Sequence, residues 1–311
     1  MSDPVTAIRA ERLIKRYGAT TAVDGVDLAI PRGQFFGLLG PNGAGKTSII
    51  HMLSTLIRPT SGEAWVAGYS TTDRQLAVRR SIGVVFQEQA LDRTLTAAEN
   101  LRFAGLLNNL SRSQIKQRSS DLLELFGLTQ QRNRPVASLS GGLRRALDIA
   151  RGVIHQPQIL FLDEPTIGLD LPNRRAIWRH IARLRAELGI TVLLTTHYLE
   201  EAVDCHEVAF LSSGRIVRRG SPRALIEQLG RHIVEVETDL PAELAERLAP
   251  RLGPALIEGD CVYFRYDAEL IDPLLQAELA STARVVRWRR PNLNDVFLWI
   301  NRIPASLQKA A

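Results

Sequence analysis

The stretch GPNGAGKT at residues 40–47 decides the fold of the first half of this chain. It follows the apolar run FFGLL at residues 35–39 and precedes SIIHML at residues 48–53, so the order predicts a strand, a glycine-rich loop and a helix. Glycines let main-chain N–H groups crowd around phosphate oxygens, and the helix start adds partial positive charge. This context favours a nucleotide site over a glycine turn that merely contains a lysine. In such a site Lys46 reaches the β and γ phosphates, and Thr47 ligates Mg²⁺.

The composition is typical of a globular protein with a sizeable core. The 311 residues suit about two domains, and 45% of them are hydrophobic and 23% charged. The formal net charge of +6 favours anionic partners such as nucleotides, anionic lipid surfaces or nucleic acid, although a solvated basic face explains it equally well. Arginine dominates the basic residues, yet the loop carries Lys46, whose compact ammonium suits a place between phosphates. The lysines are Lys15, Lys46, Lys116 and Lys309.

Cysteine use and the N-terminus predict a soluble chain in a reducing compartment. Cys205 and Cys261 lie far apart without metal-ligand spacing, so we expect neither a disulfide framework nor a zinc site. The N-terminus has no secretory pattern, and no apolar run approaches the roughly 18 residues that span a bilayer. Any membrane role is therefore expected to need a separate partner.

Two patterns divide the chain near residues 220–222. Before them, apolar strands alternate with helices, which predicts an α/β sheet with ligands at the carboxyl ends of its strands. The predicted strands there are antiparallel strands over 5–35 and single strands at 81–86, 159–162 and 191–195. The predicted helices lie at about 45–55, 140–155 and 172–188, and within 96–135, where breaks are expected near Asn108 and Gly127. The remainder predicts a strand at 232–237, a helix at 241–252, two strands within 254–266, a helix at 267–280, a strand at 284–289 and a further helix at 292–301. The first six elements have the order β-α-β-β-α-β, which resembles a small ferredoxin-like unit.

Two acids directly follow the apolar strand ILFL at residues 159–162. Asp163 is placed to hold Mg²⁺, usually through water, and Glu164 is placed to point at the γ-phosphate and polarise an attacking water. A pair of acids at a helix start is the structural alternative. Their position after a buried strand, in a chain with a phosphate loop, favours the catalytic interpretation.

A second glycine-rich helix start lies at LSGGL, residues 139–143. Ser140 is a good N-cap, so the segment is either another anion-binding terminus or a simple capped helix. If both glycine-rich segments serve one nucleotide, they are expected to come from different subunits.

With these segments the chain resembles the ATP-binding subunits of ATP-binding cassette (ABC) transporters, and the matching motifs span Tyr17 to His197. In chain order the motifs are the adenine-stacking aromatic Tyr17, the Walker A loop at 40–47, the Q-loop Gln87, the signature motif at 139–143, the Walker B strand with the catalytic glutamate at 159–164, the D-loop at 168–170 and the switch histidine His197. One position departs from the pattern, because Leu143 stands where the signature motif commonly has Gln. The contacts of that side chain are therefore not implied.

The resemblance implies a fold and a site. The fold is an α/β P-loop ABC ATPase domain over residues 1–222, with a mixed sheet core, an antiparallel β subdomain and a helical subdomain at about 88–155, followed by a small α+β domain over 231–302. The implied cofactors are ATP and Mg²⁺. The implied catalytic residues are Glu164, His197 and Gln87, and the implied metal ligands are Thr47, Gln87 and Asp163. The implied nucleotide contacts are Tyr17, Asn42, Gly43, Ala44, Gly45, Lys46, Thr47 and Ser48, together with Ser140, Gly141, Gly142 and Asp170.

Residues 36–56 and the segment PNLNDVFL at 291–298 resemble the ATPases of ABC-2-type exporters, which include drug-resistance, nodulation-factor and sodium-efflux types. That resemblance implies a homodimeric ATPase motor that works with a separately encoded integral-membrane permease. It also implies a peripheral location at the cytoplasmic face of a bacterial inner membrane. No nucleic-acid partner is implied, and the transported substrate is left open.

Two rival functions are kept beside this one. A soluble ABC ATPase that acts on nucleic acid or ribosomes suits the basic charge, but such proteins usually carry two cassettes or a long coiled-coil insertion, and this sequence has neither. A non-enzymatic nucleotide-gated module is disfavoured by the complete set of Asp163, Glu164 and His197. A GTPase would need an Asn-Lys-x-Asp motif, which the sequence lacks, and the histidines other than His197 are expected to be structural.

Overall fold

A computed structural model describes residues 6–268 and 272–302 of the chain. These residues form two compact units. The first unit runs up to His197 and also includes Cys205–Ile216, and the second combines Tyr198–Asp204 with the chain from Val217 onward. The second unit therefore begins before the boundary expected at residue 222, and the domain ranges 1–222 and 231–302 stay predictions.

The strands and helices of the first unit follow the alternation expected from the sequence. In chain order the strands are β1 (Thr6–Tyr17), β2 (Thr20–Pro31), β3 (Phe35–Leu39), β4 (Ser61–Val66), β5 (Tyr69–Ser70), β6 (Ile82–Val85), β7 (Ile159–Asp163), β8 (Thr191–Thr196), β9 (Glu207–Ser212) and β10 (Arg215–Gly220), the last of which continues into the second unit. The helices are α1 (Lys46–Leu53), α2 (Gln75–Ser81), α3 (Ala97–Leu107), α4 (Arg112–Leu125), α5 (Gly141–Val153) and α6 (Leu171–Leu188).

The strands form an antiparallel sheet, β2-β1-β4-β5, and a six-stranded sheet, β10-β9-β3-β8-β7-β6. In the second sheet β3 pairs in parallel with β8 and β9, and β7 pairs in parallel with β6 and β8. Strands β3, β7 and β8 are buried along their whole length, which explains their continuous apolar runs. Because parallel strands end at the same edge of a sheet, the segments after β3, β6, β7 and β8 lie at one edge. This architecture confirms the predicted α/β fold class.

Helices α3, α4 and α5 fill most of the range 88–155. Capping boxes begin the first two: the Thr96 side chain pairs with Glu99 at α3, and the Ser111 side chain pairs with Gln114 at α4. Helix α3 ends at the expected break near Asn108, and α4 ends before Gly127, which has a left-handed φ of 66°. The helix expected to continue to residue 135 is wrong, because two short 3₁₀ turns, Thr129–Gln131 and Val136–Ser138, follow instead.

The second unit has an apolar core of its own. Its elements after β10 are α7 (Pro222–Glu227), β11 (His232–Glu237), α8 (Pro241–Leu252), β12 (Leu256–Glu258), β13 (Cys261–Tyr266), α9 (Pro273–Thr282), β14 (Val285–Arg289) and α10 (Leu293–Arg302). The strands form an antiparallel sheet in the order β12-β13-β11-β14, and α8 and α9 pack on it around Val234 and Phe264. The helix expected from Asp267 is observed from Pro273, and its predicted residues 269–271 lie outside the described residues. None of the described helices has both the length and the apolar character that a membrane crossing requires.

Candidate nucleotide-binding site

The glycine-rich loop between β3 and α1 packs so closely on its neighbours that two positions require glycine. A Cβ atom on Gly40 would lie 2.3 Å from the carbonyl oxygen of Leu211, and one on Gly45 would lie 2.2 Å from that of Ala22. Gly45 also has a φ of 106°, which side chains disfavour. The loop therefore follows a backbone path that other residues would block.

An open cavity of about 420 Å³ lies over this loop. Its volume falls within the range of roughly 300–1,000 Å³ that is usual for ligand pockets. The lining consists of Ala22, residues 42–48, Gln87, Glu164 and Ile167. The structure thus brings together residues 42–47 of the predicted phosphate loop, the predicted contact Ser48, the predicted Q-loop residue and the predicted catalytic glutamate.

Lys46 is buried at the base of the cavity. Its Nζ donates to the carbonyl oxygens of Gly40 at 2.8 Å and Pro41 at 3.1 Å, and it lies 3.7 Å from Oε1 of Glu164. Burial lowers the pKa of Lys46, while the negative charges of Glu164 and Asp163 oppose that shift. The ammonium is therefore positioned by main-chain oxygens and balanced by the neighbouring acids.

Thr195 on β8 anchors both acids at the end of β7. Oδ1 of Asp163 accepts hydrogen bonds from Thr47 Oγ1 at 3.3 Å and from Thr195 Oγ1. The main-chain N–H of Glu164 donates to both the carbonyl oxygen and Oγ1 of Thr195, each at 3.1 Å. Sequence reasoning missed Thr195, although its place at the end of a buried strand, two residues before His197, is a usable signal.

Glu164 has an unusual backbone. Its φ is 46°, in the left-handed region that residues other than glycine rarely adopt and that is concentrated at functional sites. Its carboxylate is nearly buried, with Oε1 toward Lys46 and Oε2 at 3.4 Å from Nδ1 of His197. The predicted switch histidine and the predicted catalytic glutamate are therefore in contact.

Five predicted nucleotide contacts do not line the cavity within the described residues: Tyr17, Ser140, Gly141, Gly142 and Asp170. Ser140 caps α5 by accepting from the N–H of Leu143, and Asp170 caps α6 by accepting from the N–H of Asn173. The two helix starts touch, because a Cβ on Gly142 would lie 2.2 Å from Oδ1 of Asn173. Tyr17 is half-exposed at the end of β1, with Lys15 Nζ 5.1 Å from its ring centroid.

The oxygen donors in the cavity and directly beside it suit a nucleotide with Mg²⁺. Thr47 and Asp163 supply adjacent hydroxyl and carboxylate oxygens, which are the ligands that Mg²⁺ prefers in proteins. Magnesium usually takes only one or two such side chains beside phosphate oxygens. The open cavity over the loop leaves room for phosphates next to Lys46.

A phosphate loop after a central strand, with acids at the end of a neighbouring strand, defines the class of P-loop nucleotide-binding proteins. Residues 23–167 match the ABC transporter family. Similar curated proteins include the daunorubicin/doxorubicin resistance ATP-binding protein DrrA of Streptomyces peucetius, which is 39% identical over 98% of this chain and 95% of its own length. The Nod factor export ATP-binding protein I of Ralstonia nicotianae is 40% identical over 96% of this chain and 94% of its own length. The chain belongs to the family of ABC transporter ATP-binding proteins.

Solved structures agree with that assignment. A dimeric bacterial ABC transporter cassette, MJ0796, is 29% identical with a TM-score of 0.64 over 69% of this chain and 98% of its own. The protein cbiO1 of Clostridium perfringens, part of the ABC transporter complex cbiONQ, is 25% identical with a TM-score of 0.67 over 80% of this chain and 96% of its own. The resemblance drawn from the motifs is confirmed, and the chain is an ATP-binding ABC ATPase.

Proposed function

We propose that this chain is the ATP-hydrolysing motor subunit of an ABC exporter, which works as a head-to-tail dimer with a separate integral-membrane permease. The observation that carries the proposal is the division of the predicted site. The loop, Glu164 and Gln87 share one cavity, whereas the glycine-rich start of α5 does not line it. The export functions in the names of similar proteins support the direction of transport.

One subunit supplies the phosphate-binding half of each site. Lys46 and the loop hold the phosphates, Ser48 lies in the same lining, and Tyr17 stacks on adenine. Thr47, Gln87 and Asp163 would hold Mg²⁺, which neutralises charge on the β and γ phosphates when bound. Thr195 fixes the Asp163 carboxylate for that task.

Glu164 is the general base in this proposal. Its carboxylate orients and deprotonates the attacking water, which requires the ionised form. The Lys46 ammonium lies 3.7 Å from Oε1 and balances the charge of the carboxylate. His197, in contact with Oε2, keeps the carboxylate aimed toward the γ-phosphate.

The partner subunit supplies the other half. Ser140, Gly141, Gly142 and Asp170 of one copy contact the nucleotide in the cavity of the second copy, so ATP closes the dimer and hydrolysis lets it open. On α3, the exposed apolar side chains Phe103, Leu106 and Leu107 support permease docking within residues 87–108. A peripheral place at the cytoplasmic face of the inner membrane follows from that docking.

Replacement of the general base tests the hydrolytic role. We expect Glu164→Gln to bind ATP normally and to lose at least roughly 100-fold in turnover, as removal of a general base does. Glu63→Gln, at an exposed position on β4, is the control and retains the parental rate. Phosphate release and nucleotide binding are measured in parallel; parental phosphate release from Glu164→Gln would contradict the role.

Mixed dimers test the shared site. Lys46→Ala and Ser140→Arg chains are each expected to fail alone, whereas their mixture rebuilds one intact site and recovers part of the activity. A mixture as inactive as its components would contradict sharing across subunits. Affinity capture of the full chain from its own cells is expected to bring down a polytopic membrane protein; recovery of RNA or DNA instead would favour the rival function.

A further inference from the structure

Arg145 is a buried arginine whose hydrogen bonds reach the main chain around the site. It lies on α5, about one and a half turns after the cap Ser140. Its side chain is only 4% exposed. A guanidinium has five N–H donors in a planar fork, and each of those of Arg145 has an acceptor.

Four of the acceptors are carbonyl oxygens of two segments that line or flank the cavity. Nε donates to Pro165 at 2.6 Å, and Nη2 donates to Asp163 at 3.3 Å and to Glu164 at 3.2 Å. Nη1 donates to the carbonyl oxygen of Phe86, the residue before Gln87, at 2.6 Å. The fifth bond runs from Nη1 to the carboxylate of Asp148 at 3.4 Å.

If Arg145 served only to fill space in the core, its burial would carry an unnecessary cost in free energy. Desolvation lowers the pKa of Arg145 and raises that of the fully buried Asp148, so both charges are disfavoured by their surroundings. An apolar side chain of similar volume would fill the same space without that cost. The fork instead satisfies carbonyls on both sides of the left-handed Glu164 peptide, where φ is 46°.

We infer that Arg145 is a positioning residue for hydrolysis that acts through Glu164: its guanidinium holds the backbone of Glu164 in the left-handed conformation by tying it to the main chain before Gln87. Because α5 begins at the signature motif, the same rigid helix links the contact with the partner's nucleotide to the general base. The inference rests on the proposed roles of Glu164, Gln87 and Ser140.

The first test compares Arg145→Met with Arg151→Met. Arg151 lies on the same helix and donates to Oδ1 of Asp148, whereas Arg145 donates to Oδ2. Arg151 is therefore a matched control for the loss of an arginine beside that acid. We expect Arg145→Met to lower kcat roughly 100-fold, the size of effect that a displaced catalytic group produces, with the KM for ATP within about threefold of the parent because the phosphate loop is untouched. Arg151→Met retains the parental kcat.

The second test separates positioning from a general loss of structure. In the Glu164→Gln background, Arg145→Met is expected to change the residual rate by less than about twofold, because the group that it positions is already gone. Equal losses in both backgrounds, a parental kcat, or a rise in KM without a fall in kcat would each overturn the inference. A fully active Glu164→Gln chain would instead overturn the proposed function.

Arg145→Lys keeps the test decisive if the methionine variant does not fold. Lysine retains the charge but has three donors and no planar fork, so it cannot satisfy the four carbonyls together. We expect a loss of kcat of about tenfold or more, again confined to the chain with an intact Glu164. Parental turnover by a folded lysine variant would overturn the inference.

Discussion

At the scale of single residues, Thr195 holds both of the acids that follow β7 through hydrogen bonds. Its hydroxyl donates to Asp163 and accepts from the N–H of Glu164, and its carbonyl accepts from the same N–H. Valine has the same shape but lacks both hydroxyl contacts. The carboxylate of Asp163 would then lose one of the two hydroxyl donors that orient it.

We expect Thr195→Val to raise the Mg²⁺ concentration needed for half-maximal hydrolysis by about 10–100-fold, since groups that orient a metal ligand have effects of that size. Thr191→Val is the matched control, because Thr191 is equally buried at the start of the same strand and its Oγ1 accepts from Gly33 N–H at 2.9 Å. The control is expected to lose stability but to keep its Mg²⁺ dependence. Parallel Mg²⁺ titrations compare the two, and identical curves would contradict the prediction.

The sequence predicted the cavity residues that are adjacent in the chain or follow a strand, namely 42–48, Gln87 and Glu164. It did not predict Thr195 or Arg145. Their contacts join segments that are far apart in the chain, such as Arg145 with Phe86. Spacing within one segment carries no signal for such pairs; only the packing of α5 and β8 against the end of β7 creates them.

At the scale of elements, α6 is joined to the end of α4 by a partly buried histidine. Nδ1 of His180 lies 2.9 Å from the carbonyl oxygen of Leu125, and the imidazole packs against the ring of Phe126 with centroids 5.1 Å apart. Burial lowers the pKa of His180 below its ordinary value of 6.5. The unfolded chain therefore binds a proton more readily than the folded one, and stability falls as the pH drops through 6.5.

We expect His180→Gln to weaken this acid sensitivity. The midpoint temperature of thermal unfolding of the parent is expected to decrease as the pH is lowered from 7 to 5. The decrease is expected to be smaller in the variant, because one proton-linked group is removed. His155, whose pKa is also lowered by burial, accounts for a further part of the slope. Thermal melts across this pH range measure the effect; an unchanged slope in the variant would show that His180 does not contribute.

The contact between α5 and α6 distinguishes the two glycines of the signature motif. A Cβ on Gly142 would meet the side chain of Asn173 at 2.2 Å, whereas one on Gly141 would come no closer than 3.8 Å to Leu169. We expect Gly142→Ala to lower the free energy of unfolding by roughly 1–3 kcal/mol through overpacking. Gly141→Ala is expected to be neutral or stabilising, because alanine favours helix.

Urea unfolding gives the free energy of unfolding of both alanine variants. The additional substitution Asn173→Ala tests whether contact with Asn173 causes the loss. Removal of the amide opens space for the new methyl group, so Asn173→Ala added to Gly142→Ala is expected to recover most of the lost stability. Equal stability of the two single alanine variants would show that the contact does not restrict position 142.

Element prediction succeeded where side-chain burial dominates. Strands β3, β7 and β8 are buried along their whole length, and their central residues are apolar because both faces are covered. Strands β4, β5, β9 and β10 were not predicted, although the four buried residues 208–211 of β9 offered the same kind of signal. Strand β5 has two residues, and β10 is largely exposed, with the sequence RIVRRG. Pairing with neighbouring strands, rather than an intrinsic pattern, makes such segments extended.

At the scale of the whole molecule, the second unit contains an ion pair between β14 and α10. Arg289 binds the buried carboxylate of Asp295 through two bonds of 2.7 Å, and Asp295 also accepts from the N–H of Asn292 at 2.8 Å. On the same strand, the exposed Arg287 makes one bond of 2.7 Å to Glu235. Arg289 also donates from Nε to Glu235 at 3.4 Å, so the two arginines share that acid and differ in the bond to the buried Asp295.

We expect Arg289→Gln to destabilise the second unit by roughly 1–3 kcal/mol, because it leaves the buried Asp295 without its cation. Arg287→Gln is expected to cost less than about 1 kcal/mol, as exposed pairs do. Limited proteolysis monitors the effect. For Arg289→Gln alone, we expect faster cleavage at sites in the chain from Val217 onward, while the first unit stays intact. Equal cleavage rates for the two variants would contradict the prediction.

The division into two units was only partly predictable. The change of pattern near residue 222 indicates a second unit, but nothing in the sequence places Tyr198–Asp204 with it. That segment belongs there because its 3₁₀ turn, Leu199–Ala202, contacts α10, which lies about a hundred residues further along the chain. Long-range packing of this kind has no local signature.

The burial of Lys46 also makes the protein open to selective covalent chemistry. Acylating reagents attack neutral amines, and the lowered pKa gives Lys46 a larger neutral share than an ordinary lysine has at the same pH. The other lysines in the described residues are the partly buried Lys15 and the exposed Lys116. Among the lysines of the described residues, a phosphate-bearing electrophile small enough for the cavity would therefore favour Lys46, and a peptide digest would identify the labelled residue.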